Sequence, residues 1–188
     1  GVQTCALPIS GYDAEDPFSR RAEPPLANES WPPRIGIPRA DQREFFGNAA
    51  AAQLFAAAVG KWRELGATIV EIDYTPFRDA ARLLYEGPWV AERYAAIRDF
   101  IEKKPDSLHP VTRRIIEPAR ALTAVSGFEY GYRLAALRRQ ADQVWREIDV
   151  LLTPTAGIVY TVAEVEADPV RLNSNLGYYT NHMNLLDQ

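Results

Sequence analysis

Arg34–Asp73 reads RIGIPRADQREFFGNAAAAQLFAAAVGKWRELGATIVEID, and this stretch decides the fold. Arg34–Pro38 is a short apolar run closed by proline, which predicts a buried strand. Asn48 is a good N-cap for an alanine-rich helix over Ala49–Leu65, and Gly66 supplies its stop. Leu54, Ala58, Trp62 and Leu65 recur every three to four residues and predict the helix's apolar stripe. The β-branched run in Ala67–Asp73 marks a second strand. Strand, helix and strand in this order predict a right-handed crossover between parallel strands. The fold class is therefore α/β, with a mostly parallel sheet flanked by helices. Asp149–Thr153 is a further short buried strand ended by Pro154, and belongs to the same sheet.

Between these strands the chain reads as helical. Pro76–Leu84 is a short helix, and Gly87-Pro88 breaks it and opens the next, which runs to about Ile101. Trp89, Tyr94 and Ile97 face a core in this reading. Tyr85 precedes the break and Arg93 lies in the second turn after it. A phenol and a guanidinium so placed can converge on one small planar anion, because arginine offers a bidentate fork and tyrosine one more donor. The plainer reading is a core tyrosine and a surface arginine paired with a nearby glutamate, and the residues alone leave both open. Lys103–Pro110 is a polar loop. Val111–Val125 and Gly127–Ile148 are two further helices, the first interrupted at Pro118 and the second burying Leu134, Leu137, Val144 and Ile148. Gly157–Glu166 reads as extended, and Asn173–Asp187 as a polar, aromatic segment. Ser10–Pro33 is an extended connector in which Asp13, Asp16 and Ser19 offer turn chemistry.

At 188 residues the chain is long enough for a sizeable core. Its net charge of -4 leaves no electrostatic footprint for nucleic acid. No apolar run reaches membrane-spanning length and no basic leader precedes one, so a cytoplasmic location is expected. Gly1–Ile9 matches the in-frame translation of a common sequencing-library adapter, and is expected to be foreign to the protein. The single cysteine, Cys5, falls inside it, so disulfide, thiolate and cysteine–zinc chemistry are not expected of the rest.

The usual catalytic signatures do not occur. Dinucleotide-binding and phosphate-binding glycine loops, the paired-histidine zinc motif and the Gly-x-Ser-x-Gly elbow are all missing. His109 and His182 stand far apart and read as loop or core residues. Ser19, Ser30, Ser107, Ser126 and Ser174 have no evident activating partner, and Glu86 and Glu92 read as solvated helix acids. No metal or cofactor is expected.

Several stretches together resemble the amidase signature enzymes, and within them the allophanate hydrolase group. They are Gly11–Arg20, Leu83–Arg93, Leu151–Gly157, Ala167–Val170 and Leu172–Asn181. The run Tyr-Glu-Gly-Pro-Trp-Val-Ala-Glu-Arg at Tyr85–Arg93 is the most telling. The resemblance implies a Ser–cis-Ser–Lys triad in which lysine, through a bridging serine, deprotonates the nucleophilic serine while backbone amides hold the oxyanion. It further implies that Tyr85 and Arg93 bind the substrate, allophanate, and that the parent protein is free to form a homo-oligomer. The family's Gly/Ser-rich core and triad lysine have no counterpart here, so no catalytic residue is assigned. His182 stands where an aromatic such as Phe is expected. On this reading residues 10–188 are the middle-to-C-terminal portion of one amidase domain, shortened at both ends. A different amidase, or a non-catalytic amidase-like scaffold, are the alternatives. The chain expressed alone should release no ammonia from allophanate above a buffer blank, since none of its residues matches the family's nucleophile.

Overall fold

A computed structural model describes residues 11–21 and 32–187. Gly1–Ile9 lies outside the described residues. The chain forms two compact units, Gly1–Trp31 and Pro32–Gln188. In the first, the backbone N–H groups of Glu15 and Phe18 donate to the carboxylates of Asp13 and Asp16, and the Asp13 N–H donates to Ser19 Oγ at 2.8 Å. Turn chemistry thus organises this segment as expected, with Arg21 stacked 4.1 Å over the Tyr12 ring.

The second unit is built on a three-stranded parallel sheet in the order β2-β1-β3. Strand β1 (Arg34–Pro38) leads to helix α1 (Ala49–Glu64) and then β2 (Thr68–Ile72). Asn48 caps α1 by accepting from the Ala51 N–H at 3.0 Å, and Gly66 ends it at φ +91, in the left-handed region that glycine enters without a Cβ penalty. Ile35 pairs with Ile69 across the sheet, and Gly36 with Val70. The strand, helix, strand expectation holds.

Which face of α1 is buried differs from the expectation. Phe55 and Val59 are buried with Ile35, Ile37 and Ala67, and Trp62 packs against them, whereas Leu54 is 73% exposed and Leu65 51%. An alanine-rich helix is apolar on nearly every side, so periodicity alone does not select a stripe. Phe55–Val59–Trp62 and the expected Leu54–Ala58–Trp62–Leu65 both recur every three to four residues, and of the expected stripe only Trp62 packs on the sheet.

The opposite face of the sheet carries the larger core. Helices α2 (Thr75–Glu86), α3 (Val90–Lys103), α4 (Pro110–Ile116) and α5 (Ala124–Val144) follow, and then β3 (Val150–Leu151). Phe77, Ala80 and Leu83 of α2 and Leu137 and Ala141 of α5 join Ile72, Tyr74 and Ile148 in it. Pro118 divides the helical segment before α5 as expected, leaving a 3-10 stretch over Glu117–Ala121. Helix α5 begins earlier than the sequence reading placed it, because Thr123 and Ser126 form a reciprocal capping box. It also ends earlier, at Val144. Asp149 anchors the short β3: its carboxylate accepts from the Arg34 side chain and backbone N–H, each at 2.8 Å, and its own N–H donates to Arg34 O.

The C-terminal part departs most from expectation. Residues 162–167 form helix α6 (Val162–Ala167), where an extended segment was expected. Thr161 and Glu164 make a second capping box, and two charge-assisted contacts of 2.7 Å to the Glu164 carboxylate nucleate the turn. Helix α7 (Pro169–Leu176) is capped by Asp168, and α8 (Met183–Leu186) closes the core with Leu185 and Leu186.

Gly36 lets this second layer approach the sheet. A Cβ there would lie 2.5 Å from Ile148 Cδ1 and 3.0 Å from its Cγ2. Gly36→Ala should therefore cost about 1–3 kcal/mol through overpacking, and Ile148→Val, which removes the nearest methyl, should restore part of it in the double variant. Urea denaturation midpoints of the four proteins in this cycle check it.

Candidate functional site

Two neighbouring clefts share a wall made of Tyr85 and Ser174. The first, of about 370 Å³, is mostly apolar, with Val90, Ile115, Pro118, Leu122 and Val170 among its lining. The second, of about 230 Å³, is bounded on one side by α2 and on the other by the end of α7 and the turn after it.

The α2 wall follows from helical spacing. Arg78, Arg82 and Tyr85 recur at i, i+4 and i+7 and so share one face, next to the buried Ala81. Arg78 is paired with Asp79 at 3.3 Å, and Arg82 with Glu86 at 2.9 Å. Tyr85 is 43% exposed and makes no hydrogen bond among the described residues. The opposite wall holds Ser174, Asn175, Gly177, Tyr178 and Asn181, and Phe46 completes the cleft. Phe46 stands edge-on to Tyr178 with ring centroids 6.0 Å apart.

Contacts over long sequence separations hold that wall in place. Tyr178 donates its hydroxyl proton to Gln42 O at 3.2 Å, and Tyr179 donates to Glu44 O at 3.0 Å while accepting from the Glu44 N–H at 2.7 Å. Burial pushes the Tyr179 phenol up to about 12, and Tyr178 and Tyr74 are also raised by burial. These hydroxyls stay protonated and serve as structural donors. Gln42 is itself buried. Its amide donates to Asp73 at 2.7 Å and to Thr75 at 2.9 Å, and its carbonyl accepts from the Tyr74 N–H at 2.7 Å. The Gln42 contact, aided by the Thr75 hydroxyl and N–H and by the Arg39 charge, outweighs desolvation and lowers the Asp73 carboxyl to about 2.

Arg93 lies on α3, exposed, with no hydrogen bond or ion pair among the described residues. It lines neither cleft. The plainer reading of the pair is met only in part: Arg93 is a surface arginine, but it has no glutamate partner among those residues, and Tyr85 is no core residue. Nor does the structure join the two, since the Gly87-Pro88 corner separates them. Trp89 packs on the core against Tyr130, while Tyr94 donates to Glu102 at 2.6 Å and accepts from Arg120. Ser174, on the wall between the clefts, donates its hydroxyl to Val170 O at 2.8 Å and makes no other side-chain hydrogen bond among the described residues. His109 caps α4 by accepting from the Val111 N–H, and His182 is a core residue, as the sequence suggested. The second wall lies in Leu172–Asn181, one of the stretches that carry the resemblance, but the sequence reading gave none of its residues a site role.

The parallel sheet with its helical layers is an amidase-type fold. The chain is a member of the amidase family, whose pattern, described as Amidase, matches residues 2–188. Its relatives are specific. Urea amidolyase of Lachancea kluyveri is 36% identical over 200 residues, covering 99% of this chain and 11% of that protein. The solved structure of selenomethionine-substituted Kluyveromyces lactis allophanate hydrolase superposes with a TM-score of 0.89 at 32% identity, over 98% of this chain and 31% of that one. The urea amidolyase structure from K. lactis gives 0.78 at 36% identity, over 82% of this chain and 9% of that one. The chain therefore spans about a tenth of the length of the curated relatives it matches.

His182 replaces the expected aromatic beside this site and is 1% exposed. Its ring is edge-on to Tyr74 and Phe77, and its Nδ1 lies 3.3 Å from the Tyr74 hydroxyl. Burial lowers its pKa to about 4 from an ordinary 6.5. The unfolded chain then takes up this proton before the folded one does. The linked stability is complete above pH 6.5 and falls away as the pH drops to about 4, by up to about 3 kcal/mol. His182→Phe should remove that dependence, which paired denaturation curves at pH 7 and pH 4.5 will show as a smaller loss for the variant.

Proposed function

We propose that this chain supplies the middle-to-C-terminal, substrate-recognising portion of an allophanate hydrolase. The observation that carries this reading is the match over nearly the whole chain to the K. lactis allophanate hydrolase structure. The uncommitted Tyr85 hydroxyl at the cleft wall agrees with it. In the proposed reaction a serine hydroxyl adds to the terminal amide carbonyl of allophanate, the C–N bond breaks, the amide nitrogen takes up a proton and leaves as ammonia, and water then hydrolyses the acyl ester to free the serine. The Ser–cis-Ser–Lys triad that contains this serine comes from outside this chain. Among the described residues no helix is long and apolar enough to cross a membrane. We place the enzyme in the cytoplasm, acting on a small dissolved acid.

In this reading the roles follow from charge. Allophanate carries a carboxylate, and Arg93 is a guanidinium with no carboxylate partner among the described residues. It acts as a charge clamp, with the Tyr85 hydroxyl as second donor. Its guanidinium is exposed and unpaired among the described residues, so it is available to a substrate carboxylate.

The test uses the complete enzyme. A charge-assisted bidentate contact contributes on the order of 1.5–3 kcal/mol, so Arg93→Ala should lose roughly 10- to 200-fold in kcat/KM for allophanate. Arg93→Lys should recover only part, because an ammonium lacks the planar fork. Tyr85→Phe should lose about 1–2 kcal/mol. A neutral amide of similar size is the control: if Arg93→Ala slows both substrates equally, the clamp is wrong.

A further inference from the structure

Seven side chains with hydrogen-bonding groups line the 230 Å³ cleft: Arg78, Arg82, Tyr85, Ser174, Asn175, Tyr178 and Asn181. Five of them are committed. Arg78 and Arg82 hold Asp79 and Glu86, Ser174 and Tyr178 give their protons to Val170 O and Gln42 O, and Asn175 donates to the Tyr160 hydroxyl at 2.8 Å. Tyr85 and Asn181 are the two whose side chains make no hydrogen bond among the described residues. Asn181 is also held in place. Its amide lies directly over Gly177, where any Cβ would overlap it, and its backbone N–H donates to Gly177 O at 3.0 Å. A half-buried carboxamide, pinned over a glycine in a cleft and lacking a partner, has both its donors and its acceptor available for a ligand.

We infer that Asn181 is a specificity-determining residue that recognises the ureido nitrogen of the substrate, its Oδ1 accepting the central N–H. The inference rests on the allophanate reading above. A carboxylate held at Tyr85 places the central N–H one bond away from the held group. That N–H needs an acceptor. Arg78 and Arg82 are donors only, whereas a carboxamide presents an acceptor and a donor side by side, the pattern that complements the N–H and C=O of a planar ureido acid. A dicarbonyl acid without that N–H leaves the acceptor unpaired and is bound less well.

The experiment compares allophanate with malonamate, in which a methylene replaces the central N–H while the carboxylate and terminal amide remain. In the complete enzyme Asn181→Ala should lower kcat/KM for allophanate about tenfold, the worth of one good hydrogen bond, and for malonamate less than about twofold. Asn181→Asp keeps the size and the acceptor and guards against a variant that does not fold. It should slow both substrates through its charge while holding their ratio within about threefold of wild type. Equal losses on the two substrates in Asn181→Ala, or no loss on either, overturn the role of Asn181 and leave the allophanate reading standing. A wild-type enzyme that does not release ammonia from allophanate overturns both.

Discussion

The central strand must be buried on both faces, and its one glycine makes that geometry available. β1 lies between β2 and β3, which pair both its edges, and helices cover both its faces, so that Ile35–Pro38 are buried. Ile35 and Ile37 meet the α1 row on one side. On the other, Gly36 leaves room for Ile148, which brings the end of α5 onto the sheet just before β3 starts. With a side chain at that point the α5–β3 connection would stand off the sheet. The Arg34–Asp149 contacts, which align a strand only two residues long, would then lose their geometry. Core packing and strand register here are one constraint.

The cleft depends on polar contacts that cross the whole unit. Tyr178 and Tyr179 reach back more than a hundred residues to the backbone at Gln42 and Glu44, and Gln42 in turn satisfies Asp73, Tyr74 and Thr75 at the start of α2. Buried donors and acceptors left unpaired are costly, so each of these contacts fixes its neighbour's position. The wall carrying Asn181 and the wall carrying Tyr85 are thereby referred to the same short segment of chain.

Much of the scaffold was legible because breakers and caps sit at element ends: Pro38, Asn48, Gly66, Pro88 and Pro118 each mark a boundary where the structure has one. Burial on α1 was not legible, since alanine leaves the helix without a polar side and the strands choose the face. The helix at Val162–Ala167 was written in Thr161 and Glu164, a two-residue signal within a β-branched stretch that reads as extended. Tyr85 stood out through the telling run around Gly87-Pro88 and lines both clefts, whereas Arg93 of the same run lines neither. The partners facing Tyr85 did not stand out, because Phe46, Tyr178 and Asn181 meet it only after the chain has folded back on itself.

The corner between α2 and α3 is tight. A Cβ on Gly87 would lie 2.5 Å from the Trp89 ring and 2.7 Å from Leu83 O, so that hinge admits little variation. The two helices it joins are differently bound. α2 is locked into the core by Phe77, Ala80 and Leu83, while Arg93 projects from α3 without a described partner. Substitution at Arg93 can therefore alter the charge on the exposed face of α3 without disturbing packing, whereas change near Tyr85 is checked by the packed residues of α2. A lineage built on this scaffold can drift in the charge of α3's outer face long before it drifts in the shape of the corner.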